Sequence, residues 1–251
     1  GGHSISGKST CDGGLVIDLQ SMQGVRVEPE ASRAYVDGGS LLRQLDHECA
    51  AFGFATTAGI VSHTGASGLT LGGGFGRLGR RFGLACDNAL AFDIVTADGH
   101  FLRATEEQNT DLLWGLRGGG GNFGVVTAIE YRVHRMDPVI LGGYLSWPIA
   151  KARDVMRFHR DNLASWPNEL FAEFALMPGK EGPVIAMEVC WSGDRAAGEA
   201  LLKPIRAFEK PAFDDIAPIR YVDIQTYSDE TLANGKYYYL KNGFLNKLTN
   251  D

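Results

Sequence analysis

Three glycine tracts set the first constraint on this chain: Gly1-Gly2-His3-Ser4, Gly72-Gly73-Gly74-Phe75-Gly76, and Gly118-Gly119-Gly120-Gly121-Asn122-Phe123-Gly124. Backbone without side chains can approach a diphosphate closely and turn its N–H groups toward it. A histidine at position 3, beside such a loop, marks a place for a large phosphorylated cofactor. Any single tract serves equally well as a bulge or a tight turn. Three of them between regular strands are harder to explain structurally, because every glycine loses more conformational freedom on folding than other residues. Of the 33 glycines most lie before residue 125. The chain therefore reads as a glycine-rich first region followed by a more conventional second one.

Hydrophobic residues make up 44% of the sequence and charged residues 22%, with no apolar run long enough to span a bilayer. That is the composition of a globular protein with one large or two modest cores. A net charge of −6 argues against nucleic acid or an anionic membrane as partner. Cys11, Cys49, Cys86 and Cys190 are far apart and form no C-x-x-C pair. No metal site or thioredoxin-type motif is indicated, and all four are expected as reduced or buried thiols. The sequence lacks an initiator Met and starts inside a glycine loop, so the expectation is a chain cut at both ends. Targeting is then unreadable, with the cytoplasm favoured for a bacterial source.

Short β-branched runs at 15–19, 25–29 and 33–37 read as a strand meander. Ser40 reads as the N-cap of a helix through Leu41, Leu42, Leu45, Cys49 and Phe52, closed by Gly53. Residues 54–87 are mostly small, too small to build a core and suited to lining a ligand. Residues 92–97 and 100–104 form a hairpin around a two-residue Asp98-Gly99 turn. Asn109 or Thr110 caps a short helix through Leu112, Leu113 and Leu116, and 124–133 is a strand. From 138 onward the order is strand 139–147, helix 149–166, strand 169–177, strand 183–191, helix 194–208 and strand 216–224. This is the split βαβ arrangement, an antiparallel sheet with both helices on one face. The end, from Asn234, carries Tyr237, Tyr238 and Tyr239 and then a Phe244-Leu245-x-x-Leu248 run with no closing element.

Two segments, 74–79 and 119–124, satisfy the G-x-G-x-x-G pattern of dinucleotide sites. A Rossmann turn must open a helix that holds the pyrophosphate at its N-terminus. The second match opens a strand instead, and the first runs into Gly83, which interrupts any helix. Asp98 is a turn residue in this reading, not a ribose ligand.

Gly1-Gly2-His3-Ser4, the run 11–19 (Cys-Asp-Gly-Gly-Leu-Val-Ile-Asp-Leu), residues 65–88 and residues 121–127 together carry a resemblance. In this succession the first 135 or so residues resemble the berberine bridge enzyme-like FAD-linked oxidases, and within them the bacterial branch similar to 6-hydroxy-D-nicotine oxidase. The resemblance implies an α+β fold. Residues 1–137 would be the second lobe of a vanillyl-alcohol oxidase-type FAD-binding domain. Residues 138–251 would be a ferredoxin-like antiparallel-sheet cap that binds substrate. By the same resemblance His3 bonds covalently to the methyl carbon on the flavin's benzenoid ring. Gly1, Gly2, Ser4 and Gly7 lie along the pyrophosphate. Thr64, Gly65, Ser67, Gly68, Gly72, Gly73, Gly74 and Gly76 line the flavin and its diphosphate, and Asn122, Gly124, Val125 and Val126 meet the adenosine half. Members with a second linkage carry a cysteine eleven residues before the triple glycine, where this chain has Val61. One covalent bond to FAD is therefore expected.

Such a flavin accepts the hydride, so the protein has to hold the substrate carbon and remove a proton. The expected reaction is oxidation of an alcohol or amine carbon of a sugar, alkaloid or polyketide-like small molecule, with dioxygen reduced to hydrogen peroxide. A dehydrogenase with another acceptor, or a non-catalytic flavin-binding module, are the alternatives. Tyr144, Tyr237, Tyr238 and Tyr239 are conceivable bases, but aromatic residues on strands are more often core and none is assigned. A chain cut at both ends is expected to bind FAD weakly, to lack turnover and to self-associate through uncovered apolar surface.

Overall fold

The computed structural model describes residues 1–245 and 248–249. Part of the terminal Phe-Leu-x-x-Leu run expected at the C-terminus lies outside the described residues. By internal contacts the chain divides into two compact units, the first comprising Gly1–Pro138 with Tyr221–Leu240 and the second built around Val139–Arg220. The segment 221–240 thus packs with the first unit, whereas the domain expected from the sequence runs unbroken from 138.

In the first unit the elements run β1 Val25–Glu28, β2 Arg33–Asp37, α1 Leu42–Ala51, β3 Phe54–Ala55, α2 Ala66–Leu71, α3 Gly79–Phe82, α4 Ala85–Asn88, β4 Ala89–Val95, β5 Phe101–Ala104, α5 Thr110–Leu116, β6 Val125–Arg132 and β7 His134–Arg135. Five strands form one antiparallel sheet in the order β1-β2-β6-β4-β5. Alternation puts Ala34 and Val36 of β2, Phe92 and Ile94 of β4, and Ile129 and Tyr131 of β6 into one core. Helix α1 covers it with Leu42, Leu45 and Cys49, spaced at three and four residues as an amphipathic helix requires.

Two features tie this sheet to its surroundings. The Tyr131 hydroxyl of β6 and the Thr70 hydroxyl of α2, both buried, share a hydrogen bond of 2.6 Å that fixes α2 on the sheet. Burial pushes the Tyr131 phenol well above its ordinary pKa and keeps it neutral. Buried Glu130 of β6 is paired with Arg33 of β2 and Arg103 of β5, strands that lie to either side of β6 in the sheet order.

Three local expectations fail here for physical reasons. Residues 15–19 form no strand, because they have no ladder partner among the described residues and leave Leu15, Val16 and Ile17 exposed. Ser40 is not the helix cap, because its hydroxyl is held by the backbone N–H and C=O of Gly24. Leu41 occupies that position, and its N–H donates to Gln44 Oε1 at 2.7 Å. The β4–β5 hairpin has a three-residue loop: Gly99 N–H donates to Thr96 O, Thr96 N–H donates to His100 O, and Gly99 takes φ +81°. Asp98-Gly99 signals the turn correctly, but its left-handed glycine forms a bulge at the hairpin's end.

The second unit contains β8 Val139–Pro148, a short 3₁₀ turn, α6 Ala152–Asn162, β9 Leu170–Met177, β10 Val184–Trp191, α7 Arg195–Phe208, β11 Phe213–Asp214 and β12 Ala217–Arg220. The sheet runs β11-β8-β10-β9, with β12 also on β8, and every pairing is antiparallel. Leu141, Leu145 and Trp147 of β8 share one face with Ile185, Met187, Val189 and Trp191 of β10, and Val155 of α6 and Leu202 and Ile205 of α7 pack in the same cluster. Both helices therefore cover one face, the ferredoxin-like arrangement read from the sequence. Asp194 caps α7 by accepting from Ala197 N–H at 2.9 Å. Asp194→Ala is expected to lower the unit's stability by about 1 kcal/mol, read as a lower urea midpoint at an unchanged slope; an unmoved midpoint would show the cap to be idle.

The expected strand over 216–224 ends at Arg220. There the β8 ladder runs out with the Val139↔Arg220 pair, and the chain turns into α8 Tyr221–Ile224. Tyr221 and Ile224 are both buried, three residues apart, a helical rather than an alternating spacing.

Candidate functional site

The first glycine loop lies directly against the loop that enters α2. A Cβ on Gly1 would sit 2.2 Å from Gly65 N, so only bare backbone fits there. Gly2 and Gly7 take φ of +67° and +70°, and the loop closes on itself through Ile5 N–H to His3 O and Gly7 N–H to Ser4 O. This brings His3 Nε2 to 2.8 Å from Nδ1 of His63, with ring centroids 4.7 Å apart.

His63 is itself held. Residues 62–64 are pinned to the start of α1 by Leu42 N–H to Thr64 O and Arg43 N–H to Ser62 O, both 2.9 Å. On the other side, Ser62 donates its backbone N–H and its hydroxyl to the Asp229 carboxylate at 2.8 and 2.6 Å. His63 Nε2 lies 3.4 Å from the Asp229 carbonyl oxygen. Burial, and after it the neighbouring His63, lower the His3 pKa below the ordinary histidine value, so its ring is neutral near pH 7.

Below this loop a buried polar cluster locks the returning segment in place. Arg77 Nη1 donates to Gln225 Oε1 at 2.9 Å, while Gln225 Nε2 donates to Gly59 O at 2.9 Å and to Asp46 Oδ2 at 3.1 Å. Arg77, Asp46 and Gln225 are each less than 5% exposed.

The remaining expected site residues divide by what surrounds them. Gly2, Gly7, Gly68 and Gly73 face open space where a side chain would be, as a backbone cradle for a ligand requires. The Ser67 hydroxyl, at the start of α2, is buried and has no hydrogen-bond partner among the described residues. That is the position of an acceptor or donor kept for a ligand, and it fits a polar cofactor. Gly72 packs near the carbonyls of its own helix, Gly74 packs on Ala85 and Leu69, and a Cβ on Gly76 would strike Ala58 O at 1.7 Å. Gly124 likewise has φ +145° and would strike Val95 O. For these last three, protein packing alone demands glycine.

The third tract meets the second through Gly120 N–H to Leu71 O at 2.7 Å. Asn122 is exposed and donates to Gly119 O, and Val125 and Val126 pair with Val95 and Ile94 in the sheet, the Val126 side chain lying in the core. Val61 is buried and offers no nucleophile. Ser4 lies exposed at the loop's surface.

His63, Ser62 and Asp229 were not singled out from the sequence. His63 immediately precedes the Thr64-Gly65 pair, which was the available signal. Asp229 pairs across 167 positions and had none. Cys49, Cys86 and Cys190 are buried free thiols and Cys11 an exposed one. No group of three or more metal-ligating side chains occurs among the described residues, and none of their helices is long and apolar enough to cross a membrane.

Glycine-walled loops around a neutral histidine lie on an antiparallel sheet, and residues 1–105 of the chain match the family described as FAD binding domain. Its homologues are named FAD-linked oxidoreductases and oxidases. An FAD-linked oxidoreductase of Dictyostelium discoideum is 34% identical over 252 residues, covering 100% of this chain and 54% of that protein. (R)-6-hydroxynicotine oxidase of Paenarthrobacter nicotinovorans is 30% identical over 233 residues, 92% of this chain and 51% of that one. The crystal structure of 6-hydroxy-D-nicotine oxidase from Arthrobacter nicotinovorans matches with a TM-score of 0.86 at 28% identity, covering 94% of this chain and 53% of that one. A berberine bridge enzyme variant, at 21% identity and a TM-score of 0.81 over 90% of this chain and 47% of that one, shares the fold. The resemblance drawn from the sequence holds. The chain spans about half the length of the curated relatives it matches.

Proposed function

We propose that this chain belongs to an FAD-linked oxidase in which His3 carries the flavin through a single covalent bond. The observation that carries this reading is the His3 imidazole itself: neutral, half-buried, and held in a glycine loop that packs through Gly1 against Gly65, with no room there for a side chain. Gly2, Gly7, Gly68 and Gly73 would form the backbone cradle, with the Ser67 hydroxyl available to the cofactor. Thr64, Gly65 and Gly1 hold the two loops against each other, and Val61 leaves no second attachment point. When bound, the flavin supplies hydride acceptance, which none of the twenty side chains can provide.

The protein's share is to position the substrate carbon and take its proton. In the second unit the sheet face opposite α6 and α7 carries Tyr144, whose hydroxyl donates to Glu188 at 3.0 Å. In this reading that face belongs to the substrate cap, residues 138–251 apart from the returning segment. A substrate alcohol or amine would be oxidised there and dioxygen reduced to hydrogen peroxide; support comes from the relative that is named an oxidase, (R)-6-hydroxynicotine oxidase.

The test is retention of flavin after denaturation. Expressed at full coding length, the protein should give a yellow acid precipitate and a fluorescent band in a denaturing gel, and His3→Ala should lose both. Fluorescence that survives His3→Ala places the linkage elsewhere. Peroxide release during oxidation of an alcohol or amine panel then separates an oxidase from a dehydrogenase.

A further inference from the structure

We infer that His63 is a positioning residue for covalent flavin attachment: it fixes the tautomer of His3 and receives the proton that His3 gives up when the bond forms. This rests on the reading of His3 as the attachment site.

The direction of the relay follows from one acceptor. The Asp229 carbonyl oxygen can only accept a hydrogen bond. The ring nitrogen facing it, His63 Nε2, therefore carries the hydrogen, and His63 Nδ1 carries the lone pair. Across the 2.8 Å contact, Nε2 of His3 must then be the donor. Nδ1 of His3 is left with its lone pair, and no hydrogen bond among the described residues occupies it. A neutral imidazole with that nitrogen available is the nucleophilic form.

Nδ1 of His3 forms a bond to the methyl carbon of the flavin ring, and a C–H bond of that methyl group breaks. The Nε2 proton of His3 passes to His63 Nδ1. Two protons and two electrons leave the joined pair in total, and dioxygen takes them up as hydrogen peroxide. Without His63, the His3 ring would have to shed its Nε2 proton to water from a half-buried position, and in the other tautomer it could turn an Nε2 lone pair toward the flavin instead. Asp229 and Ser62 act one layer further out, through the two hydrogen bonds that set the height of the His63 loop.

Apo-protein of full coding length, prepared in a riboflavin-starved host, is mixed with FAD, and covalent incorporation is followed by intact mass. Wild type should attach FAD. His63→Ala should bind FAD without attaching it, with a rate down roughly 100-fold or more, as for loss of a general base. Added imidazole should restore attachment. His63→Asn keeps an acceptor oxygen near the Nδ1 position but is not a base, so it should fold, bind FAD and attach slowly; it decides the matter if the alanine variant does not fold. Attachment at the wild-type rate by either folded variant overturns the role of His63 while leaving His3 in place. A wild-type protein that binds FAD and never attaches it overturns the reading of His3, and this inference with it.

Discussion

Replacing Arg77 with methionine is expected to lower the stability of the first unit by about 3–5 kcal/mol, the usual cost of removing one partner from a buried charged network. Arg77 is 2% exposed, and its guanidinium organises groups from three places in the chain. It donates to Gln225 of the returning segment and reaches the carbonyl of Ile60, while Gln225 passes its own amide hydrogens to Gly59 and Asp46. Methionine fills similar volume but leaves the Gln225 oxygen without its donor and Asp46 without its compensating charge. The check is urea unfolding followed by circular dichroism, with the midpoint falling and the slope unchanged. Because residues 225–229 hang on this cluster, limited proteolysis should also cut there sooner. A loss below about 1 kcal/mol would mean that the network relaxes around the gap.

Stability should decline as pH rises from about 4 to about 7, opposite to the usual behaviour of a paired carboxylate. Burial raises the Asp46 pKa from 3.8 to about 7, against the hydrogen bond from Gln225 and the charge of Arg77, which both pull it down. The folded state then holds a proton that the unfolded chain releases through this window. A group with a raised native pKa contributes its full stability below the unfolded value and loses it as pH passes the folded value. The change amounts to about 4 kcal/mol over the window. Asp46→Asn keeps the acceptor for Gln225 and cannot ionise, so its stability should vary less between pH 5 and pH 8, and it should exceed wild type at pH 8. An unchanged slope in the asparagine variant would remove Asp46 as the cause. In Arg77→Met the Asp46 pKa climbs further, so that variant's deficit should deepen above pH 7.

Where pattern and geometry share a short range, the sequence was a sufficient guide. The alternation of 139–147 and 183–191 and the three-to-four spacing of α6 and α7 place the second unit's sheet and its helices, because each element's buried face is written in its own residues. Failures came where a partner decides. Residues 15–19 have strand composition and no neighbour to pair with among the described residues, and Ser40 has cap chemistry but is taken by Gly24. Gly76 and Gly124 are glycines for the sake of Ala58 and Val95, a requirement visible only once those carbonyls are in place. The His3–His63–Asp229 chain joins positions 3, 63 and 229, and nothing local announces such a contact.

The pairing of Val139 with Arg220 in adjacent strands means that the chain enters and leaves the second unit's body at nearly the same point, with Pro138 O and Tyr221 N hydrogen-bonded at 2.8 Å. An inserted module whose two ends are neighbours can be exchanged for another of different length and lining without moving the scaffold on either side. Exchange at these two crossings would swap the second unit's body as a single cassette, and His3, His63 and Asp229 all lie outside the exchanged segment. The two units could then vary in sequence independently of one another.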